Sequence, residues 1–236
     1  MTSQTLNTPP AESASAALKQ ATAAEHRRAE QSPFQRLLVS GRIPLDSYLD
    51  WLDQQWRIYR TLEKTLQPGH SATRDLLINE PWRRAQALED DLGHFGEQGG
   101  ARIPAPSTLK FIAQLEQSHR EDPAALLGVL YVLEGSTNGS KYIARNIRRA
   151  FGLDRPGTRF MDPHGEDQQA RWASFKQLLD QAISPATVPS VIAGAHATFS
   201  AVTAIGQELL ERAGLAAESD ANRSEMDGHG HGHSAN

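Results

Sequence analysis

From residue 45 to residue 66 the apolar side chains recur at steps of three and four: Leu45, Tyr48, Leu49, Leu52, Trp56, Tyr59, Leu62 and Leu66. That spacing lines one face of an α-helix, the face that meets a core. Pro68-Gly69 ends the pattern. The same period predicts a helix over 13–31, closed by Pro33, whose ring disfavours helical geometry in the residue before it. A short helix with Phe34, Leu37 and Leu38 follows and stops at Gly41. Further helices are expected over 73–93, 107–118, 123–151, 168–183 and 189–213. Few stretches show the β-branched or aromatic runs of strands, and most prolines fall between the helical segments. The pattern therefore predicts an all-α, single-domain helical bundle.

The two ends break this pattern. Residues 1–12 are rich in Thr, Ser, Pro and Ala and would bury little, so a disordered arm is expected there, with a second disordered, His-rich segment over 217–236. The folded domain is then 13–216, long enough to bury a substantial core. The chain has no cysteine, which removes disulfides, thiolate metal sites and a cysteine nucleophile. Twenty-four basic against 28 acidic residues give a net charge of −4, which argues against non-specific affinity for nucleic acid or an anionic membrane. The N-terminal segment lacks the charged start and apolar stretch of a signal peptide. No later run approaches the roughly 20 apolar residues of a membrane span, and a cytoplasmic protein is expected.

Two segments carry candidate chemistry. His26 lies mid-helix in LKQATAAEHRRAEQ among small neighbours that leave room for a flat ligand, and Glu30, four residues on, is placed to accept a hydrogen bond from one imidazole nitrogen. The simpler alternative is a half-buried histidine in a helical core. The second segment, residues 126–152, reads as helix on both sides of Gly135-Ser136-Thr137-Asn138-Gly139-Ser140. Each glycine in a helix interior costs roughly 1 kcal/mol relative to alanine, so the cluster needs a reason. Gly135 and Gly139 are four apart and share a face, which suits close approach of a planar ligand, a kink, a tight helix crossing, or a loop between two shorter helices.

Together the segments resemble the haem oxygenase family. The first reads LKQATAAEHRRAEQSPF, like the family's proximal helix, and the second YVLEGSTNGSKYIARNI, like its glycine-kinked distal helix; the match covers roughly residues 14–215. The resemblance implies a bundle holding haem b between these helices, with His26 as the axial iron ligand and Glu30 behind it. Gly135, Ser136 and Gly139 would form the distal catalytic face, with Tyr131 beside it. RWASFKQLLDQ resembles the stretch that pairs with haem propionates and implies Lys176 in that role, with Lys19 a second candidate and Arg145 a weaker one. The implied reaction is oxidative cleavage of haem to biliverdin, CO and Fe(II), with O2 and electrons from an external donor such as a ferredoxin or flavoprotein reductase. The wording of the distal turn is most like the bacterial branch that supplies biliverdin to bacteriophytochromes. Two positions depart from the family pattern: Ser136 stands where an aspartate commonly organises distal water, and Asp180 where an arginine is common.

Other readings compete. A non-catalytic haem carrier or sensor would share the fold, as would thiamin-degrading and di-iron relatives. A di-iron site would draw on Glu63, His94, Glu134 and His196, but only one Glu-x-x-His occurs, from Glu116 to His119. The run His229-Gly230-His231-Gly232-His233 suits Ni(II), Zn(II) or Cu(II) but is more simply a solvated end. Trp51, Trp56, Trp82 and Trp172 read as core or rim aromatics. Arg83-Arg84 and the group Arg145, Arg148, Arg149 read as solvated faces, the latter a candidate dock for an acidic electron donor.

Overall fold

The computed structural model describes residues 13–66 and 83–215, and among these every regular element is helical. The α-helices are α1 (Ala14–Ala21), α2 (Ala23–Glu30), α3 (Pro33–Ser40), α4 (Leu45–Thr65), α5 (Ala85–His94), α6 (Pro106–Glu121), α7 (Ala125–Phe151), α8 (Gln168–Ala182) and α9 (Val188–Arg212), with one 3-10 turn at Gly165–Asp167. The predicted arm, the His-rich tail, Trp82 and residues 73–82 of the predicted 73–93 helix lie outside the described residues; Arg83 and Arg84 are not helical, and the helix there starts at Ala85.

The helix expected over 13–31 is two, parted at Thr22. The Thr22 hydroxyl donates to the Leu18 carbonyl at 2.8 Å, a back-bond that bends a helix, while the backbone bonds Thr22 N to Leu18 O and His26 N to Thr22 O carry the ladder across the joint. Ser13 and Ser32 cap α1 and α3, each accepting a backbone N–H of the first turn, and Pro33 occupies the first turn of α3. Gly41 ends α3 at φ 67, and a Cβ there would press on the Asn146 carbonyl at 2.9 Å. Asn146 in turn donates to Val39 O, pinning α3 to α7.

The apolar stripe of α4 is buried except for exposed Leu45 and half-buried Trp56. Periodicity alone did not indicate that Asp50, Asp53, Gln54 and Gln55 are buried too. Asp53 accepts from Gly100 N and pairs with Arg57, Gln54 accepts from Ala105 N at 2.9 Å, and Asp50 pairs with Arg212 at 2.8 Å. Buried polar groups thus satisfy the connection that wraps this end of the helix.

Helix α7, 27 residues long, runs helical through the whole Gly-Ser-Thr-Asn-Gly-Ser segment, which removes the loop alternative. The tight helix crossing exists, but elsewhere on the helix. A Cβ on Gly128 would collide with the Val191 carbonyl, and one on Gly194 with that of Ala125, so α7 and α9 meet backbone to backbone. Helix α9 is the one helix among the described residues long and apolar enough to cross a bilayer, which the sequence reading did not find. It packs against α7, α6, α2 and α3 as the centre of the bundle.

Candidate functional site

Helix α2 buries none of its residues. His26 is 58% exposed, its Nδ1 lies 3.3 Å from Glu30 Oε2, and its ring meets Phe199 of α9 edge-on at 5.9 Å. With Nδ1 facing the carboxylate, Nε2 is the nitrogen left for a ligand. Glu25 on the same helix faces His196 at 3.5 Å and Arg28 at 2.8 Å; its carboxyl is held below the usual range first by its own backbone N–H and then by these two groups, against desolvation.

On α7 the two glycines have different surroundings. A Cβ on Gly139 would meet nothing within 4 Å, whereas one on Gly135 would touch the Trp172 indole at 3.3 Å. Trp172 stacks on Phe175 with centroids 5.5 Å apart and lies 5.6 Å from Tyr131, whose hydroxyl is pushed up by burial. Lys176 holds its ammonium over Trp172 at 5.7 Å. Tyr131, Gly135 and Lys176 are therefore grouped around one indole, and Trp172 is half-buried against the core, as a core or rim aromatic.

Asp180 accepts the Ser15 backbone N–H at 2.6 Å and the Ser15 hydroxyl at 3.0 Å. A carboxylate is favourable at a helix N-terminus, so this residue clasps α8 to α1, a use that an arginine would not serve. Lys19, exposed on α1, and Lys176 on α8 each lie one turn from the clasp.

Behind the distal glycines lies a buried charged cluster. Glu134 takes Arg84 on one oxygen at 2.9 Å and His164 on the other at 3.2 Å; Arg84 is 3% exposed and the other two side chains 7%. Thr137 donates to the Glu134 carbonyl, and the Gln168 amide bridges the Thr137 hydroxyl at 2.7 Å and Asn138 Oδ1 at 3.3 Å. Ser136 is exposed and donates to Leu133 O at 2.7 Å, back along its own helix. Arg84 thus corrects the reading of Arg83-Arg84 as a solvated face, and Arg148 corrects the other: it bonds Thr158 Oγ1 at 2.7 Å and Asp162 at 3.2 Å, holding the segment after α7. Nothing in the sequence singled out His164 or Gln168.

The di-iron alternative finds no support. Glu63 accepts Arg84 N and Ala85 N ahead of α5, and Glu134 serves the cluster above. Among the described residues no group of three or more His, Asp or Glu converges on a metal position.

Comparison with known proteins decides the family. The family model described as "Heme oxygenase" matches residues 12–208. The chain belongs to the haem oxygenase family. It is 31% identical over 167 residues to a heme oxygenase of Xanthomonas campestris pv. campestris, covering 69% of this chain and 90% of that protein. To human heme oxygenase 1 it is 26% identical over 148 residues, covering 61% of this chain and 51% of the human protein. Among solved structures, heme oxygenase-1 of Synechocystis in complex with heme superposes with a TM-score of 0.78 at 18% identity, over 90% of this chain and 99% of that one. The Leptospira interrogans heme oxygenase superposes at 0.75 and 22% identity, over 83% and 98%. The all-α haem oxygenase fold expected from the sequence is the observed one.

Proposed function

We propose that this chain is a haem-degrading enzyme that takes haem b as substrate and cofactor and opens it to biliverdin with release of CO and Fe(II). The observation that carries the reading is the state of His26: a half-exposed imidazole with Nδ1 3.3 Å from Glu30 Oε2 and Nε2 left for iron, in a chain whose family model spans 12–208. The residues present fit the macrocycle. Gly139 offers a bare strip that any side chain would fill, the Tyr131–Trp172–Phe175 wall offers an apolar face, and Lys19 and Lys176 supply ammonium groups for propionates. When bound, haem supplies the redox chemistry, reacting with O2 and with electrons from an external donor such as a ferredoxin or flavoprotein reductase.

The protein's own work is positioning and proton supply. Glu30 fixes the tautomer and orientation of His26. The Ser136 hydroxyl points its proton at Leu133 O, so we assign proton storage to the Glu134–His164 pair, with Gln168 orienting Thr137 and Asn138 between that pair and the distal face. A cytoplasmic setting and delivery of biliverdin to a bacteriophytochrome belong to the same proposal, on the resemblance of the distal turn.

The test is to add one equivalent of hemin, then a reductase system under air, and follow the visible spectrum. Decay of the Soret band with growth of a broad red absorbance is the expected result. A Soret band that forms and persists would assign the chain to haem carriage or sensing. No Soret band would overturn the haem reading altogether.

A further inference from the structure

On the outer side of the Glu134 cluster the structure has an open recess of about 650 Å³ whose wall, among the described residues, contains Arg83, Arg84, Arg155, Arg159, Arg171 and His164 and no carboxylate. Four stretches of chain contribute: the residues leading into α5, the connection after α7, the approach to the 3-10 turn, and α8. Gathering five guanidinium groups around one void is electrostatically unfavourable unless counter-charge is supplied. Three of them have no carboxylate partner among the described residues. Arg84 is neutralised from behind by Glu134 at 2.9 Å, and Arg159 meets Asp90 at the outer edge at 3.6 Å. Arg155 bonds the Asp162 backbone carbonyl, the carboxylate of Asp162 being paired with Arg148. Arg83, Arg155 and Arg171 are exposed and have no acidic partner among the described residues, in a chain whose net charge is −4.

We infer that this cavity is a binding site for a small polyanion of the diphosphate type, separate from the haem cleft. The volume falls in the range of small-molecule sites, roughly 300–1,000 Å³. The guanidinium fork pairs with phosphate oxygens two at a time, and several forks converging from different directions suit a ligand that presents more than one anionic group. Six of the eight described lining residues carry a guanidinium or imidazole group, and only Ala87 and Pro163 are apolar side chains, which suits an anionic ligand. Because Arg84 and His164 line the cavity and also hold Glu134, the occupant would touch the two side chains that fix the residue just before Gly135.

The inference does not depend on haem, and its test uses the haem-free full chain. Inorganic pyrophosphate is titrated by calorimetry in about 150 mM salt, with orthophosphate, succinate and chloride at matched ionic strength as comparisons. The expected result is saturable one-to-one binding of pyrophosphate, at least tenfold tighter than orthophosphate or succinate, and weakened at least tenfold in Arg155→Ala/Arg171→Ala. Both positions are exposed, so the variant should fold, which an unchanged thermal midpoint would verify. The variant should also capture hemin with an unaltered Soret band, separating this site from the haem cleft. Equal weak binding of all the anions, no saturation, or undiminished binding in the folded double variant would each overturn the assignment. Binding of succinate as tightly as pyrophosphate would replace the diphosphate class with a dicarboxylate one.

Discussion

Helix α2 and helix α7 carry the two faces proposed to hold haem, and they are built in opposite ways. Helix α2 buries no residue, and its histidine and glutamate pair in the open. Helix α7 buries thirteen residues, among them a carboxylate locked between an arginine and a histidine, and it meets α9 backbone to backbone. The proximal face can change chemistry at little cost to the fold, because solvent screens its charges and few neighbours depend on them. On the distal face, chemistry and stability rest on the same residues.

The sharpest way to break the comparison is His26→Ala. The hemin complex should lose its low-spin, six-coordinate Soret spectrum while the thermal midpoint of the haem-free protein hardly moves; an unchanged spectrum would remove His26 as ligand. On the distal side, Glu134→Ala leaves Arg84 buried without its carboxylate and should cost about 3 kcal/mol. That lowers the thermal midpoint by roughly 6–12 °C. Glu30→Gln, at an exposed pair, should stay within about 0.5 kcal/mol. Equal losses for the two variants would erase the contrast.

Gly139→Leu should fill the open strip and suppress biliverdin formation far more than hemin capture. Gly135→Ala, which only nudges Trp172, should have a smaller effect, and the reverse order would show that the indole side is the reacting side. The smallest expected effect concerns Glu25. Its folded carboxyl titrates below the unfolded one, so it contributes stability above the unfolded carboxylate range and loses it as pH falls through the lowered folded value. Glu25→Gln should therefore flatten the fall of the thermal midpoint between about pH 5 and pH 3; an unaltered slope would locate that acid sensitivity elsewhere.

These differences follow what a sequence can show. Periodicity placed the helices well, because helix faces repeat locally, but it ran one helix through the Thr22 joint, where a single hydroxyl bends the chain, and another through Arg83 and Arg84, where the helix has not yet begun. The candidate positions on α2 and α7 came from motif spacing within one helix, and the structure finds His26 beside Glu30 and Gly139 beside open space. What escaped was everything assembled from distant segments. Arg84 reads as a surface charge until Glu134, fifty residues on, is seen to face it, and His164 belongs to a third segment with no pattern of its own. Gly128 and Gly194 look like isolated glycines until the helices are brought together, whereas Gly135 and Gly139 advertised a crossing that occurs one segment earlier.

The crossing that seats Gly128 against Val191 and Gly194 against Ala125 also has a bearing on the order in which the chain folds. Helical turns and the adjacent helix pairs involve neighbours in sequence and form quickly, but seating α9 on α7 must first close the long loop between those two glycines. Phe199 reaches His26 only from the seated α9, and Gly139 is carried by its partner in the crossing. The imidazole and the bare glycine strip thus acquire a fixed mutual position only at that late closure, so a nascent chain can hold most of its helices well before it can hold its substrate.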